Sequence, residues 1–363
     1  MSSELAAFRL GDVRGVYPDD IDESFAIGFA HAFAERFGLH GQVATGRDMR
    51  ESSPALQGAL NEGLRQAGLD VVDLGLCTTE LGYFASTRGR FGATIVVTAS
   101  HNAARYNGFK CVLTDGAAVT FESGLSDVRE LMRSGYRREG PMGSLTEEDL
   151  HPEYIGFLET CFDIDALRAR SIALNGLNGT AATLADSLAT RFGLPVTWFR
   201  QQPGPIPREG ADPANPRLVA QMQTFMAGGG FDLGVAWDGD CDRCVFYDGD
   251  GNLMPTYYMV GLLAETFLSS SPGAAVVFDT KLQWNTLEII GRLGGVAVPS
   301  ETGHAFMKRH MRQTRAIYGG ELSSHHYFGD FFGCDSGMFA WLKLVELLAS
   351  AGESLGSLVA DRR

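Results

Sequence analysis

Three short stretches gather side chains that could do chemistry. Thr98-Ala99-Ser100-His101-Asn102, running on through Tyr106-Asn107-Gly108-Phe109-Lys110, offers a hydroxyl nucleophile, an imidazole, two Asn side chains and an ammonium. A plain turn needs no such inventory, although Ser100 and Asn102 alone would also suit a helix cap or an Asx-turn. Asp238-Gly239-Asp240-Cys241-Asp242-Arg243 sets three carboxylates at alternate positions, with a glycine that permits a tight bend. Like charges bunched so closely call for a cation. Oxygen donors suit a hard ion, and a set of three leaves coordination positions open, which favours Mg²⁺ over Ca²⁺. An EF-hand would need Gly sixth and Glu twelfth from the first Asp; those places hold Arg243 and Gly249. Cys241 and Cys244 have a zinc-like or redox-like spacing but no second Cys pair, so neither chemistry is favoured. Asp248-Gly249-Asp250-Gly251 reads as a hairpin turn.

The third stretch, Gly319-Gly320-Glu321-Leu322-Ser323-Ser324-His325-His326-Tyr327-Phe328, places Glu321 and Ser323 two apart. On an extended or turning segment both can point to one side. That suits hydrogen bonds to neighbouring hydroxyls of a sugar, or equally a solvated surface loop. Upstream, Thr302-Gly303-His304 with Lys308 opens a helix, where backbone N–H groups favour anions. Lys281 adds positive charge at a strand end. Near the start, Phe8-Arg9-Leu10-Gly11-Asp12-Val13-Arg14-Gly15 reads as an ordered loop, with a solvated edge strand as the alternative.

The elements around these stretches follow from their hydrophobic patterning. The apolar, β-branched run 93–97 is a buried strand, so Ser100 lies on the loop leaving its C-terminal end. In open α/β sheets that is where chemistry collects. Before it come helices near 22–37, 53–67 and 81–87 and strands at 42–45 and 69–74. This alternation predicts a largely parallel sheet with helical crossovers. A hairpin-like stretch, a helix near 124–133 and a polar linker over 135–148 close the unit. The alternation then recurs twice. Strands 172–174, 196–199 and 233–236 alternate with helices 181–191 and 218–226. Strands 275–278, 296–298 and 316–318 alternate with helices 257–268, 285–292 and 304–311. The expectation is three domains, at 1–148, 149–251 and 252–363, carrying the Ser100, acidic and Glu321 loops in turn.

Composition excludes several classes. The 363 residues include 30 Lys and Arg against 44 Asp and Glu, a net charge of −14. That argues against a nucleic-acid binder with a basic face, while local Arg and Lys clusters still accommodate an anionic substrate. No apolar run approaches the roughly 20 residues of a spanning helix. Met1-Ser2-Ser3-Glu4 does not resemble a secretory signal. Six dispersed cysteines suit a reducing cytoplasm better than a disulfide framework.

Together these stretches resemble the α-D-phosphohexomutases, and within them the bacterial phosphomannomutase/phosphoglucomutase branch. The resemblance rests on 98–102 with 106–110, on 238–243, on Gly320-Glu321-Leu322-Ser323, on Thr302-Gly303-His304 and on the opening Phe8-Arg9 with Asp12-Val13-Arg14-Gly15, in family order. It implies three mixed-sheet α/β domains around a central cleft, and isomerisation of a hexose 1-phosphate and 6-phosphate through a phosphoserine and a hexose 1,6-bisphosphate, the latter also the activator. Ser100 would be the phosphorylated residue, and Asp238, Asp240 and Asp242 would hold Mg²⁺ with a phosphoserine oxygen as a further ligand. His101 and Lys110 would be proton donor and acceptor, and Arg243 would neutralise phosphate charge. Glu321 and Ser323 would bind sugar hydroxyls, with His304, Lys281 and Arg14 lining the same cleft. Ala103 stands where the family usually has Pro, and Gly11 where it usually has Tyr. Family members also carry a fourth, smaller C-terminal domain that grips the sugar phosphate. The sequence given stops after the third unit at Asp361-Arg362-Arg363, so a separate source of that domain is one expectation. A phosphosugar phosphatase and a non-catalytic sugar-phosphate binder are the alternatives, and both mannose and glucose phosphates remain candidate substrates.

Overall fold

The computed structural model describes residues 4–362. Met1 to Ser3 and Arg363, read above at the two ends of the sequence, lie outside the described residues. The chain forms two compact units: one runs up to Pro152 and includes Gly204–Ile206, the other comprises Glu153–Pro203 and the residues from Pro207 onward.

The first unit is built on six strands, β1 (Val13–Val16), β2 (Gln42–Arg47), β3 (Asp70–Leu76), β4 (Ala93–Val97), β5 (Tyr106–Leu113) and β6 (Leu145–Glu147). Their order is β1-β5-β4-β2-β3-β6. The strands β4, β2, β3 and β6 run parallel, as the alternation predicts, but β5 is antiparallel to both β4 and β1. The reason is connection length. Only residues 98–105 join β4 to β5, and a parallel crossover needs about a dozen residues or more. Tyr106 to Lys110 therefore sit on a strand and not in the loop. The opening segment divides: residues 9–12 stay a loop, while Val13–Val16 form the edge strand β1, which alternates buried and half-buried residues and is not solvated; the polar linker contributes β6, whose three residues are all exposed.

Four helices cover this sheet: α1 (Glu23–Arg36), α2 (Ser53–Gln66), α3 (Thr79–Ser86) and α4 (Ser126–Arg133). Asp22 caps α1 by accepting from Phe25 N at 2.8 Å. Phe25, Phe29 and Phe33 recur every four residues on one helix face. Phe29 packs on Phe109 of β5 with ring centroids 4.9 Å apart. The core thus pins β5 from one side.

The second unit holds two sheets. β7 (Ile172–Asn175), β8 (Val196–Trp198), β9 (Leu233–Trp237) and β10 (Cys244–Tyr247) are ordered β10-β9-β7-β8. Their helices are α5 (His151–Cys161), which carries the chain into the unit, α6 (Ile164–Leu167), α7 (Ala181–Phe192) and α8 (Pro216–Met226). β11 (Ala275–Asp279), β12 (Val296–Ser300), β13 (Tyr318–Gly320), β14 (His326–Phe328) and β15 (Cys334–Asp335) follow in the order β12-β11-β13-β14-β15. With them come α9 (Thr256–Ser270), α10 (Gln283–Arg292), α11 (His304–Thr314) and α12 (Gly337–Ala351). β14, β15 and α12 go beyond the sequence reading. The 248–251 turn forms as expected: Asp248 Oδ1 accepts from Asp250 N at 3.0 Å and Asn252 N at 2.8 Å. Among the described residues no helix is long and apolar enough to cross a membrane.

Candidate active site

β4 delivers the chain into a loop whose central residue, Ser100, takes a left-handed backbone with φ 50°. For a residue with a Cβ that conformation costs about 1–2 kcal/mol, so the surroundings must impose it. Arg50, fully buried, does most of this. Its Nη1 donates to Ala103 O at 2.8 Å and Tyr106 O at 2.9 Å, and its Nη2 to Ser100 O and Asn102 O, both at 2.8 Å. Its Nε donates to Asp48 Oδ2 at 2.9 Å. Asp48 also accepts from Thr98 Oγ1 at 2.8 Å, and Thr98 Oγ1 accepts from Ser100 N at 2.9 Å. Ser100 Oγ lies 3.2 Å from His101 Nδ1.

Lys110 lies on β5 opposite Val96 and is buried. Arg14, on β1 opposite Gly108, donates from Nη1 to Asn102 Oδ1 at 3.0 Å and from Nη2 to Asp12 Oδ2 at 2.5 Å. Gly108 makes this approach of β1 feasible, because a Cβ there would fall 1.9 Å from Val13 O. The first unit thus brings Ser100, His101, Asn102 and Arg14 to one loop.

In the second unit the acidic loop leaves β9. Asp238, Asp240 and Asp242 are all buried, and a carboxylate oxygen of each lies within 4.8 Å of the others. Cys241, between them, holds a left-handed φ of 69°, and its carbonyl accepts from Gly337 N at 3.2 Å. Arg243 N donates to Asp238 Oδ1 at 3.2 Å, while its Nε stays 3.9 Å from Asp238 Oδ2. Burial would lower the Arg243 pKa, but Asp238, Asp242, Asp240 and Asp212 together hold it above its ordinary value. One guanidinium does not balance three buried carboxylates, so the donor set fits a hard divalent cation. A second cluster, Asp242, His325 and Asp335, is as compact. There Lys308 Nζ lies 2.7 Å from Asp335 Oδ1 and itself supplies the positive charge.

The Glu321 loop joins this centre through His325. Arg243 Nε lies 3.3 Å from His325 Nε2, and the ring's Nδ1 lies 2.8 Å from Ser323 Oγ and 3.3 Å from Glu321 Oε2. Asp242 Oδ1 lies 3.5 Å from Nε2. Glu321 is buried; Oε1 accepts from Gly303 N at 2.6 Å and Oε2 from the Tyr327 hydroxyl at 2.5 Å. Ser323 is half-buried. His304 is the first residue of α11, beyond Gly303, and Lys281 is exposed just past β11. Both neighbourhoods, with the Glu321 loop, are tied to one buried carboxylate. Asp279 Oδ1 accepts from Lys281 N and Thr302 Oγ1, each at 3.1 Å, and Oδ2 from Leu322 N at 3.4 Å.

Sequence reasoning assigned no role to Arg50, Asp48, Asp279 or His325. Three of the four carried a weak signal: Asp48 and Arg50 stand between a strand and a Ser-Ser-Pro helix start, and Asp279 ends an otherwise apolar strand.

Known proteins match this chain along almost its whole length. The family described as "Phosphoglucomutase/phosphomannomutase, alpha/beta/alpha domain I" matches residues 6–134, its domain II residues 152–251 and its domain III residues 255–363. A phosphomannomutase of Escherichia coli is 39% identical over 371 residues, covering 99% of this chain and 81% of its own. The phosphohexose mutases of Xanthomonas campestris are 38% identical over 360 residues, covering 99% and 80%. The crystal structure of a phosphoglucomutase/phosphomannomutase family protein from Burkholderia thailandensis superposes with a TM-score of 0.90 at 31% identity, covering 98% of this chain and 79% of that one. The fold is that of an isomerase working by phosphoryl transfer. The chain belongs to the phosphoglucomutase/phosphomannomutase family.

Proposed function

We infer that the chain interconverts hexose 1-phosphates and hexose 6-phosphates, mannose and glucose among them, with Ser100 as the phosphoryl carrier. The observation that carries this reading is the Ser100 loop: a hydroxyl at a strand exit, forced into a left-handed backbone by a buried Arg and adjoining an imidazole. A phosphoryl group resides on Ser100 Oγ. With a hexose 1-phosphate, the 6-hydroxyl oxygen attacks phosphorus, the bond to Oγ breaks, the hydroxyl proton passes to a base and Oγ takes up a proton. His101 and Lys110 serve these two proton transfers. The bisphosphate then turns over and returns its other phosphoryl group to Ser100. Hexose 1,6-bisphosphate also primes the serine, which makes it the activator.

Charge neutralisation and positioning dominate such a transfer. Asp238, Asp240 and Asp242 hold Mg²⁺, which supplies Lewis-acid stabilisation of phosphoryl charge. Arg243 adds a fixed positive charge. Glu321 and Ser323 bind sugar hydroxyls, and Arg14, Lys281 and His304 bind the anionic remainder. The chain divides into domains at 148/149 and 251/252. Its partners are small hexose phosphates and not nucleic acid, in keeping with the net charge of −14. The described cysteines are all free thiols, which suits the cytoplasm.

The test is incubation with glucose 1,6-bisphosphate and intact-mass measurement, followed by product analysis from mannose 1-phosphate and glucose 1-phosphate. One added phosphate in the parent, none in Ser100→Ala, and isomer as product are expected. Equal labelling of the Ala variant removes Ser100 from the reaction; free phosphate as sole product makes the chain a phosphatase.

A further inference from the structure

The loop that carries Ser100 is gripped by a side chain to which that chemistry assigns nothing. A guanidinium has five N–H donors in one plane, and the bonds of Arg50 use all five. Four go to carbonyls of residues 100, 102, 103 and 106, and the fifth to Asp48. Carbonyls of four residues spread over residues 100–106 are thus drawn to one side chain. The Arg50–Asp48 pair is fully buried and internally neutralised, so it brings geometry to the loop more than field. Thr98 closes the circuit, donating to Asp48 and accepting from Ser100 N. The backbone of Ser100 is therefore held from both sides, at its N–H through Thr98 and at its C=O through Arg50.

Resting on the reading of Ser100 as phosphoryl carrier, we propose that Arg50 is the positioning residue of the reaction: its clamp keeps Ser100 left-handed and so aims Oγ for transfer. A lysine cannot substitute. It keeps the charge but has three donors on one atom, and it cannot span four carbonyls. Because Arg50 binds the loop and not the sugar, its loss falls on the rate of transfer and not on affinity for the bisphosphate.

The experiment uses the full chain as parent, Arg50→Lys, Arg50→Ala and Ser100→Ala. Phosphorylation by glucose 1,6-bisphosphate is followed by rapid quench and intact mass, with the folded fraction measured by near-UV circular dichroism at the same temperature. Both Arg50 variants should load Ser100 about a hundredfold more slowly per folded molecule, the scale set by a misplacement of about 1 Å. The half-saturating bisphosphate concentration should stay at the parent value. Guanidinium at millimolar concentration should restore part of the rate to Arg50→Ala and none to Arg50→Lys, whose side chain occupies the space. Parent rates in both variants, a loss confined to half-saturation, an absence of rescue, or failure of both variants to fold would each overturn the proposal. Failure of the underlying reading looks different: the parent and Ser100→Ala then gain phosphate alike.

Discussion

Lowering the pH from 7 to 5 should destabilise the second unit by about 2 kcal/mol through His326 alone. The imidazole is fully buried in β14. The Tyr318 hydroxyl, kept protonated by burial, shares a hydrogen bond with its Nδ1 at 2.7 Å. Burial first, and then the neighbouring His325, depress its pKa from 6.5 to about 3. Above pH 6.5 both the folded and the unfolded chain leave this ring neutral, and its contribution to stability is complete. Below 6.5 the unfolded chain takes up a proton that the folded chain refuses until about 3, so stability falls through that interval. At pH 5 the unfolded ring lies 1.5 units below its pKa, and at about 1.36 kcal/mol per unit the loss is about 2 kcal/mol. The figure is insensitive to the folded value, provided that value stays well below 5. All four tryptophans (198, 237, 284 and 341) lie in the second unit, so urea unfolding followed by tryptophan fluorescence reads this unit alone. The comparison is between parent and His326→Asn at the two pH values. Asn should cost stability at both, but its own loss between pH 7 and 5 should be smaller than the parent's by about 2 kcal/mol. Equal losses in the two proteins would show that His326 titrates normally.

The acidic loop makes the next prediction: Asp240→Asn should weaken Mg²⁺ binding in calorimetry and remove the rise in melting temperature that Mg²⁺ gives the parent. Without added metal, the same variant should melt higher than the parent, since one of three crowded buried charges is gone; unchanged affinity would place the ion elsewhere. Glu321→Gln replaces an acceptor that holds both Gly303 N and Tyr327, so turnover should fall about tenfold or more, in line with the loss of a hydrogen bond to a charged group. Ser100 should still accept a phosphoryl group in that variant and in Ser323→Ala. Parent-like kinetics on mannose and glucose phosphates would make the loop purely structural.

Much of the site was legible because it sits at strand exits. The run 93–97, apolar but for the β-branched Thr94, marks the place of Ser100 without further information, and the apolar run 233–237 does the same before the three aspartates. What escaped notice has a common physical cause: polar groups buried in pairs look, one residue at a time, like a solvated surface. Asp48 and Arg50 satisfy each other inside the first unit, and Asn107 and Lys110 are buried on β5. The mixture of buried polar and apolar residues along 106–113 hides the period-two pattern of a strand, so the antiparallel return went unseen, although the short 98–105 connection excludes a parallel one. Glu321 and Ser323 were expected to face one way. They do meet, at His325 Nδ1, but from a buried and a half-buried position respectively. β6 shows no pattern at all, being a wholly exposed edge.

Asp279 makes three loops into one mechanical part. The backbone at Lys281, the hydroxyl of Thr302 and the backbone at Leu322 all end on its carboxylate, and Glu321 adds a direct link to Gly303. Substitutions in these loops should therefore not behave independently. Residues that share a hydrogen-bonding partner show interaction energies of about 0.5–3 kcal/mol in double-mutant cycles, so a change at Lys281 alters the setting in which Ser323 works. An attempt to retune sugar preference by exchanging a single loop would disturb the other two. Preference in this scaffold should change when the three loops and Asp279 are transplanted together, as one inherited block.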